Sequence, residues 1–302
     1  MNQMENVPTG QLVLGVYGWG AMCIYLCLVL SMMQWRRKIS QFKSSYYTLF
    51  LLQAVADFYV FLVLELIMRP RKFNYFNAFS TDMQTYAAFS YCNLMISEVI
   101  LCCGHVIIAL NRFTSFYYPF VLEKIWSDRT VILSVLSSWT LIIAFSVTVL
   151  LVFGKSVHFE LTSSGIISLK GGSAKDFSTM QSAVGNLLTV VLCSVCYLCC
   201  FIKNRKGDYK YKSVERRLFL CALASSLPFC VEMVRSITVL ITSKGDRTLY
   251  ALATDFWFYE MEIVVTSSMW MQLVINKNVR NHFLRTFGYK RCNTSTIFPT
   301  TT

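Results

Sequence analysis

Charge is scarce in this chain. Only 15% of its 302 residues are Asp, Glu, Lys or Arg, where a soluble domain carries about one quarter. Ordinary water-facing surface is therefore excluded over much of the length. Acid is scarcer still, with 16 Asp and Glu against 28 Lys and Arg. In a soluble chain the resulting net charge of +12 would suggest nucleic acid. Here the basic residues flank apolar runs, so anionic lipid headgroups are the expected partner and no nucleic acid is expected. The sequence has no Gly-rich phosphate loop, HExxH or GxSxG, so neither an enzyme nor a bound cofactor is expected. Residues 1–11 lack a basic segment and the first apolar run is too long for a signal core, so no cleavable signal peptide is expected. Cysteine is present but absent from the expected outer loops. Eleven of the twelve fall in apolar runs and Cys292 lies in the tail, which argues against a loop disulfide. Cys193, Cys196, Cys199 and Cys200 form overlapping CxxC pairs. In an apolar helix cysteine acts as a small hydrophobe, so no metal site is expected.

What the chain does have is seven long apolar stretches, at 12–33, 46–68, 84–110, 130–153, 180–202, 218–241 and 250–275. A bilayer core needs roughly 20 apolar residues in a helix, and isolated strands cannot satisfy their backbone in lipid. The expected fold class is an all-α membrane protein, a seven-transmembrane helix bundle. Nineteen Lys and Arg lie in connections 34–45, 111–129, 203–217 and 276–302, and eight in the alternate set; Arg235 lies in a span. That bias places the N-terminus outside and the C-terminus in the cytoplasm. The expected organisation is an extracellular segment 1–11, a membrane domain 12–275 and a cytoplasmic tail 276–302. In the tail Val279, Phe283 and Phe287 recur at four-residue spacing among Lys277, Arg280 and Arg285. This predicts a short amphipathic helix at 277–288 on the inner leaflet, stopped by Gly288. Cys292 is a candidate for palmitoylation, and the sequon at Asn293 lies on the cytoplasmic side, where it is unused.

Nine ionisable residues fall inside the spans: Asp57, Glu65, Glu98, His105, Glu232, Arg235, Asp255, Glu260 and Glu262. Such groups usually face the bundle interior and mark function. Glu65 and Asp255 lie near span ends, where reaching the headgroups is the simpler reading. Asp57 sits mid-span and needs a partner. Glu98, His105 and Arg112 are spaced seven apart, so they share one helix face, either as a polar line from a cavity towards the cytoplasm or as three separate contacts. Glu232 and Arg235 can pair at i, i+3, and Pro228 one turn below can kink the sixth span. Glu260 and Glu262 cannot share a face. No internal repeat of the transporter kind is present.

The third span closes on Leu110-Asn111-Arg112-Phe113, followed by Tyr117-Tyr118-Pro119 through Lys124-Ile125-Trp126, and the seventh on Asn276-Lys277-Asn278-Val279-Arg280. With the size and the seven spans, these motifs resemble nematode serpentine chemoreceptors, closest to serpentine receptor class gamma and its relatives. Asp57 in Ala54-Val55-Ala56-Asp57 looks like the second-helix aspartate of rhodopsin-like receptors. The chain departs from those receptors at Asn111, where an acid is usual, and it lacks the first-helix asparagine, NPxxY and CWxP. The resemblance implies a plasma-membrane receptor on sensory neurons that binds a small-molecule ligand and signals through a heterotrimeric G protein. On that reading Tyr91, Glu98, Glu232, Arg235 and Glu260 are ligand candidates, in an outward cavity among spans three, five, six and seven. Asp57, His105, Asn111, Arg112, Tyr118, Pro119, Glu215, Arg216, Arg217 and Pro228 are candidates for the switch and for G-protein coupling, with Glu215 as a resting partner of Arg112. The alternative is a small transporter or proton-coupled carrier, in which the intramembrane acids and His105 relay protons.

Overall fold

A computed structural model describes residues 8–74, 79–161, 167–205, 213–242 and 247–288. The first span is Thr9–Lys38, the second Ser45–Lys72, the third Gln84–Tyr117 and the fourth Asp128–Phe153. The fifth is Ser173–Arg205. The sixth is split into Ser213–Ser226 and Pro228–Thr242, and the seventh is Arg247–Ile275. Among the described residues six of these helices are long and apolar enough to cross a membrane. The seventh, at 29 residues, is as long, but Glu260, Glu262 and Gln272 are all buried and lower its apolarity. It faces the other helices more than lipid.

The helix ends follow from local chemistry. Ser127 accepts from the Thr130 N–H at 3.3 Å and caps the fourth span, with Asp128 in its first turn, where the helix dipole favours an acid. Pro119 occupies the first turn of a short inner helix, Pro119–Ile125, a position that needs no N–H. The sixth span breaks at Leu227, just before Pro228, because proline cannot close the preceding turn. The second span runs further than its apolar stretch. A wide turn at Leu64–Met68, in which the Arg69 N–H reaches the Leu64 carbonyl, carries the helix through Pro70 to Lys72. Arg69, Arg71 and Lys72, which follow the apolar run as an outer loop would, are thus in the helix.

The third span is the hub, packed against the second, fourth, fifth and sixth. The first and seventh lie side by side. There, Gly18 meets Glu262 so closely that a Cβ would fall 2.2 Å from Glu262 Oε2. Glu262 accepts from Arg69 Nη2 at 3.2 Å, and Arg69 also pairs with Glu65. Glu65 is therefore held in a buried ion cluster, not directed to the headgroups, because Arg69 lies one turn away on the prolonged helix. Asp255 does remain exposed, where it pairs with Lys72. Leu133, Leu141, Leu151, Leu188, Val195 and Leu198 on the fourth and fifth spans face outward, a surface suited to lipid.

Between the fourth and fifth spans, strands His158–Leu161 and Ile167–Lys170 form an antiparallel hairpin. No disulfide tethers it among the described residues; Cys92 is free. Instead the Tyr91 hydroxyl donates to the Ala174 carbonyl at 2.5 Å, and Phe159 and Ile167 are buried with Tyr91 and Ala87. At the other end, Lys277–Thr286 is a helix capped by the Asn276 side chain, and Gly288 follows at φ 81°, left-handed as a helix stop requires. His282 lies against Trp35 and Phe42, where burial and the Arg285 charge lower its imidazole pKa. Cys292 and the sequon lie outside the described residues.

Candidate ligand cavity and inner network

The basic connections gather at one end of the bundle, taken as the inner end; the hairpin covers the other. Beneath the hairpin is a cavity of about 840 Å³. Tyr91, Glu98 and Arg235 line it, together with Ser182 and Val239 and, from the seventh span, Thr254, Asp255 and Trp257. The second span adds Met68, Arg71 and Lys72, and the hairpin adds Glu160 and Ile167–Lys170. The expected wall of spans three, five, six and seven thus gains the second span and a β roof.

Arg235 organises the floor. Its Nε donates to Glu232 Oε2 at 2.7 Å and its Nη2 to Glu232 Oε1. Glu260 Oε2 stands 3.4 Å from Nε, an ion pair without a hydrogen bond. Both acids are buried. Glu232 Oε1 also accepts from Ser236 at 2.9 Å and from Asn186 at 3.5 Å. Asn186 Oδ1 in turn accepts from the Cys102 thiol at 3.4 Å. Glu98 faces Ser182 and is within coulombic reach of Glu232 and Arg235. Two carboxylates thus pair with one guanidinium, and Glu98, within coulombic reach of it and beside the Ser182 hydroxyl, is the one of the three acids that lines the cavity. Glu262, two residues beyond Glu260, points away to Arg69, as the helix geometry requires. The Tyr91 ring lines the cavity while its hydroxyl is engaged by Ala174.

Deeper in the bundle, Asp57 is fully buried and accepts from Tyr25 and Gln53, each at 2.8 Å. Two neutral donors hold it. Gly104 of the third span is what lets Gln53 in: a Cβ there would sit 1.7 Å from Gln53 Oε1. Gly104→Ala is expected to push Gln53 off Asp57 and cost about 1–3 kcal/mol, the price of an unmet buried acceptor. Thermal unfolding of the purified receptor checks this, and an unchanged midpoint would refute it. His105 is buried, its ring centroid 4.4 Å from Phe229, with Nδ1 at 3.2 Å from the Leu101 carbonyl. Among the described residues no hydrogen bond joins His105 to Glu98 or to Arg112. The three share a face as separate contacts, with apolar Leu101 and Ile108 between them.

At the inner end, Arg112 is 2% exposed. Its Nη2 donates to Asn111 Oδ1 at 2.5 Å, and Asn111 donates to Ser45 at 3.0 Å. The guanidinium carbon lies 4.6 Å from the centre of the Tyr46 ring. The Tyr46 hydroxyl accepts from Gln272 at 2.5 Å; Asn276 donates to Gln272 Oε1 and to the Tyr47 hydroxyl, each at 3.1 Å. The third, second and seventh spans therefore meet at Tyr46. Nothing in the local sequence of Tyr46 or Gln272 announces this; the pair is 226 residues apart. Tyr118 and Arg216 are exposed, Arg217 is half-buried and Pro119 begins the inner helix. The Glu215 side chain lies outside the described residues.

The sequence model of the family described as "Serpentine type 7TM GPCR chemoreceptor Srv" matches residues 19–289. The class matched is Srv, not class gamma, to which the motifs pointed. Those motifs lie at the inner ends of spans three and seven, and so leave the outer half of the molecule unspecified. A search of curated proteins found no match. Among solved structures, that of squid rhodopsin is similar, with a TM-score of 0.65 at 14% identity, over 94% of this chain and 87% of that one. At that identity the likeness shows the fold, a rhodopsin-like bundle.

Proposed function

The chain belongs to the Srv family of serpentine seven-transmembrane G-protein-coupled chemoreceptors, and from that premise we propose where it binds its cue and how it reports it. It is a multi-pass membrane receptor and not an enzyme. The proposed site for a small-molecule cue is the outer cavity, with Glu98 as the acceptor that lines it beside the Arg235–Glu232–Glu260 cluster. The observation that carries this reading is one half-buried carboxylate, Glu98, lining the cavity beside a floor of paired buried charges; such groups are costly unless used. The proposed G-protein face is the inner end, where Arg112 lies beneath Tyr46 and where Tyr118, Pro119, Arg216 and Arg217 lie near the expected cytoplasmic surface. Binding must favour one arrangement of the spans over another, and the break at Leu227–Pro228 supplies a joint between the cavity and inner halves of the sixth span. By the family reading the protein resides in the plasma membrane of sensory neurons, with the Lys277–Thr286 helix on inner-leaflet lipids.

The test is a cell carrying the full chain and a G-protein reporter, challenged with volatile and soluble compounds. A response that disappears in Arg112→Ala at unchanged surface expression, and whose potency falls about tenfold or more in Glu98→Gln, is the expected result. Uptake of an active compound that survives Arg112→Ala, with no reporter response, would support the carrier reading instead.

A further inference from the structure

The floor acids satisfy Arg235, but Arg71 on the cavity wall has no such answer among the described residues. Arg71 is 8% exposed, and it lines the cavity. Its Nε and Nη1 have no hydrogen-bond partner among the described residues. Among the described residues Nη2 has only the thioether of Met68, at 3.9 Å, a weak acceptor. The guanidinium packs 5.8 Å from the centre of the Phe159 ring on the hairpin, which fixes its position without supplying an acceptor. Its neighbours are settled by contrast. Arg69 pairs with Glu65 and Glu262, and Lys72 pairs with Asp255. On the hairpin Lys170 pairs with Glu160. A buried guanidinium with unmet donors is expensive, and it stays charged, since arginine does not give up its proton in proteins. It is therefore a site for an acceptor that arrives from outside.

We propose that the cue is a small organic carboxylate, its anionic head held by Arg71 under the hairpin and its body resting against the cavity wall. This deepens the cavity reading above and rests on it. The planar fork of a guanidinium matches a carboxylate in two parallel hydrogen bonds. Of the lysines nearby, Lys72 and Lys170 are balanced by Asp255 and Glu160, and Lys175 adds positive charge to the outer part of the cavity. The inner floor is the opposite: Glu98 there favours a hydroxyl or amine on the same molecule. Glu98 and Arg71 thereby give the ligand a direction, acid outward and donor inward.

The experiment uses purified full-length receptor and a panel of matched pairs: straight-chain carboxylates of rising length, benzoate, phenylacetate and indole acetate, each beside its primary amide. Melting temperature is read against concentration for the wild type, Arg71→Gln and Arg71→Lys. The expected result is an acid that stabilises the wild type with affinity about tenfold or more above its amide, the worth of a charge-assisted pair. Arg71→Gln should remove that preference, and Arg71→Lys should keep part of it, as charge without the fork. Amides and acids that shift the wild type and Arg71→Gln alike would overturn the proposal and leave the cavity reading standing. A panel that moves no melting temperature in any of the three would overturn both. Should Arg71→Gln fail to fold, Arg71→Lys carries the comparison: an unreduced acid preference there refutes recognition through the fork.

Discussion

Replacing Arg235 by methionine is expected to destabilise the receptor by about 3–5 kcal/mol, the usual cost of removing one partner from a buried ion pair. Glu232 would lose its two-pronged donor, keeping Ser236 and Asn186, and Glu260 would lose the counter-charge it has among the described residues. Both carboxylates would stand buried beside each other. For a chain of this size the fall in melting temperature is roughly 10 °C, read by thermal unfolding in detergent. The more telling variant carries Glu232→Gln and Glu260→Gln with Arg235→Met. With all three charges gone, neither Glu232 nor Glu260 is left as an unanswered buried ion, and most of the lost stability is expected to return, since neutral side chains of similar volume often replace buried ion clusters at little cost. If the triple variant is no more stable than Arg235→Met alone, the loss comes from packing around Arg235 and not from charge. The restored protein then separates structure from signalling: a response to an active compound at unaltered potency would remove this cluster from the ligand site.

Reading the sequence located the spans because apolar length is a local property. It located the Glu232–Arg235 pair for the same reason, since i, i+3 neighbours share a helix face whatever surrounds them. It also placed Glu260 and Glu262 on different faces, and the structure sends one to Arg235 and the other to Arg69. What it missed was set by partners far along the chain. Arg69 and Arg71 follow an apolar run and precede a polar stretch, which reads as loop; the wide turn at Leu64–Met68 that keeps them helical has no signature in composition. Arg69 finds Glu262 across 193 residues. Tyr46 is one aromatic among many in an apolar span until Arg112 and Gln272 are seen to converge on it. The hairpin was hidden in an ordinary polar connection, because its anchors, Tyr91 to Ala174 and Arg71 to Phe159, are tertiary. The motif around Arg112 marked the right end of the bundle and a position buried against two other spans, but Asn111 at that point left the partner undetermined.

Tyr46→Leu is expected to raise signalling in the absence of any cue. In the structure the ring of Tyr46 covers Arg112 at 4.6 Å while its hydroxyl is tied to Gln272, so one side chain binds the third span to the seventh through the second. A cation over an aromatic face contributes about 0.5–2 kcal/mol, and the buried hydrogen bond about 1 kcal/mol more. These contacts hold this arrangement of the spans against any other, so losing them shifts the equilibrium by a factor on the order of 10 to 100. The active population, and with it the cue-free reporter signal, is expected to rise about tenfold at equal surface expression. Tyr46→Phe keeps the ring over Arg112 and loses only the Gln272 contact, so its rise should be smaller, and Gln272→Leu, which also releases Asn276, should rise at least as far. Adding Arg112→Ala to Tyr46→Leu should silence the raised signal, because on the proposed reading Arg112 is the group offered to the transducer. A cue-free signal that stays at the wild-type level in Tyr46→Leu, or a raised signal that survives Arg112→Ala, would show that this junction braces the inner end without controlling it.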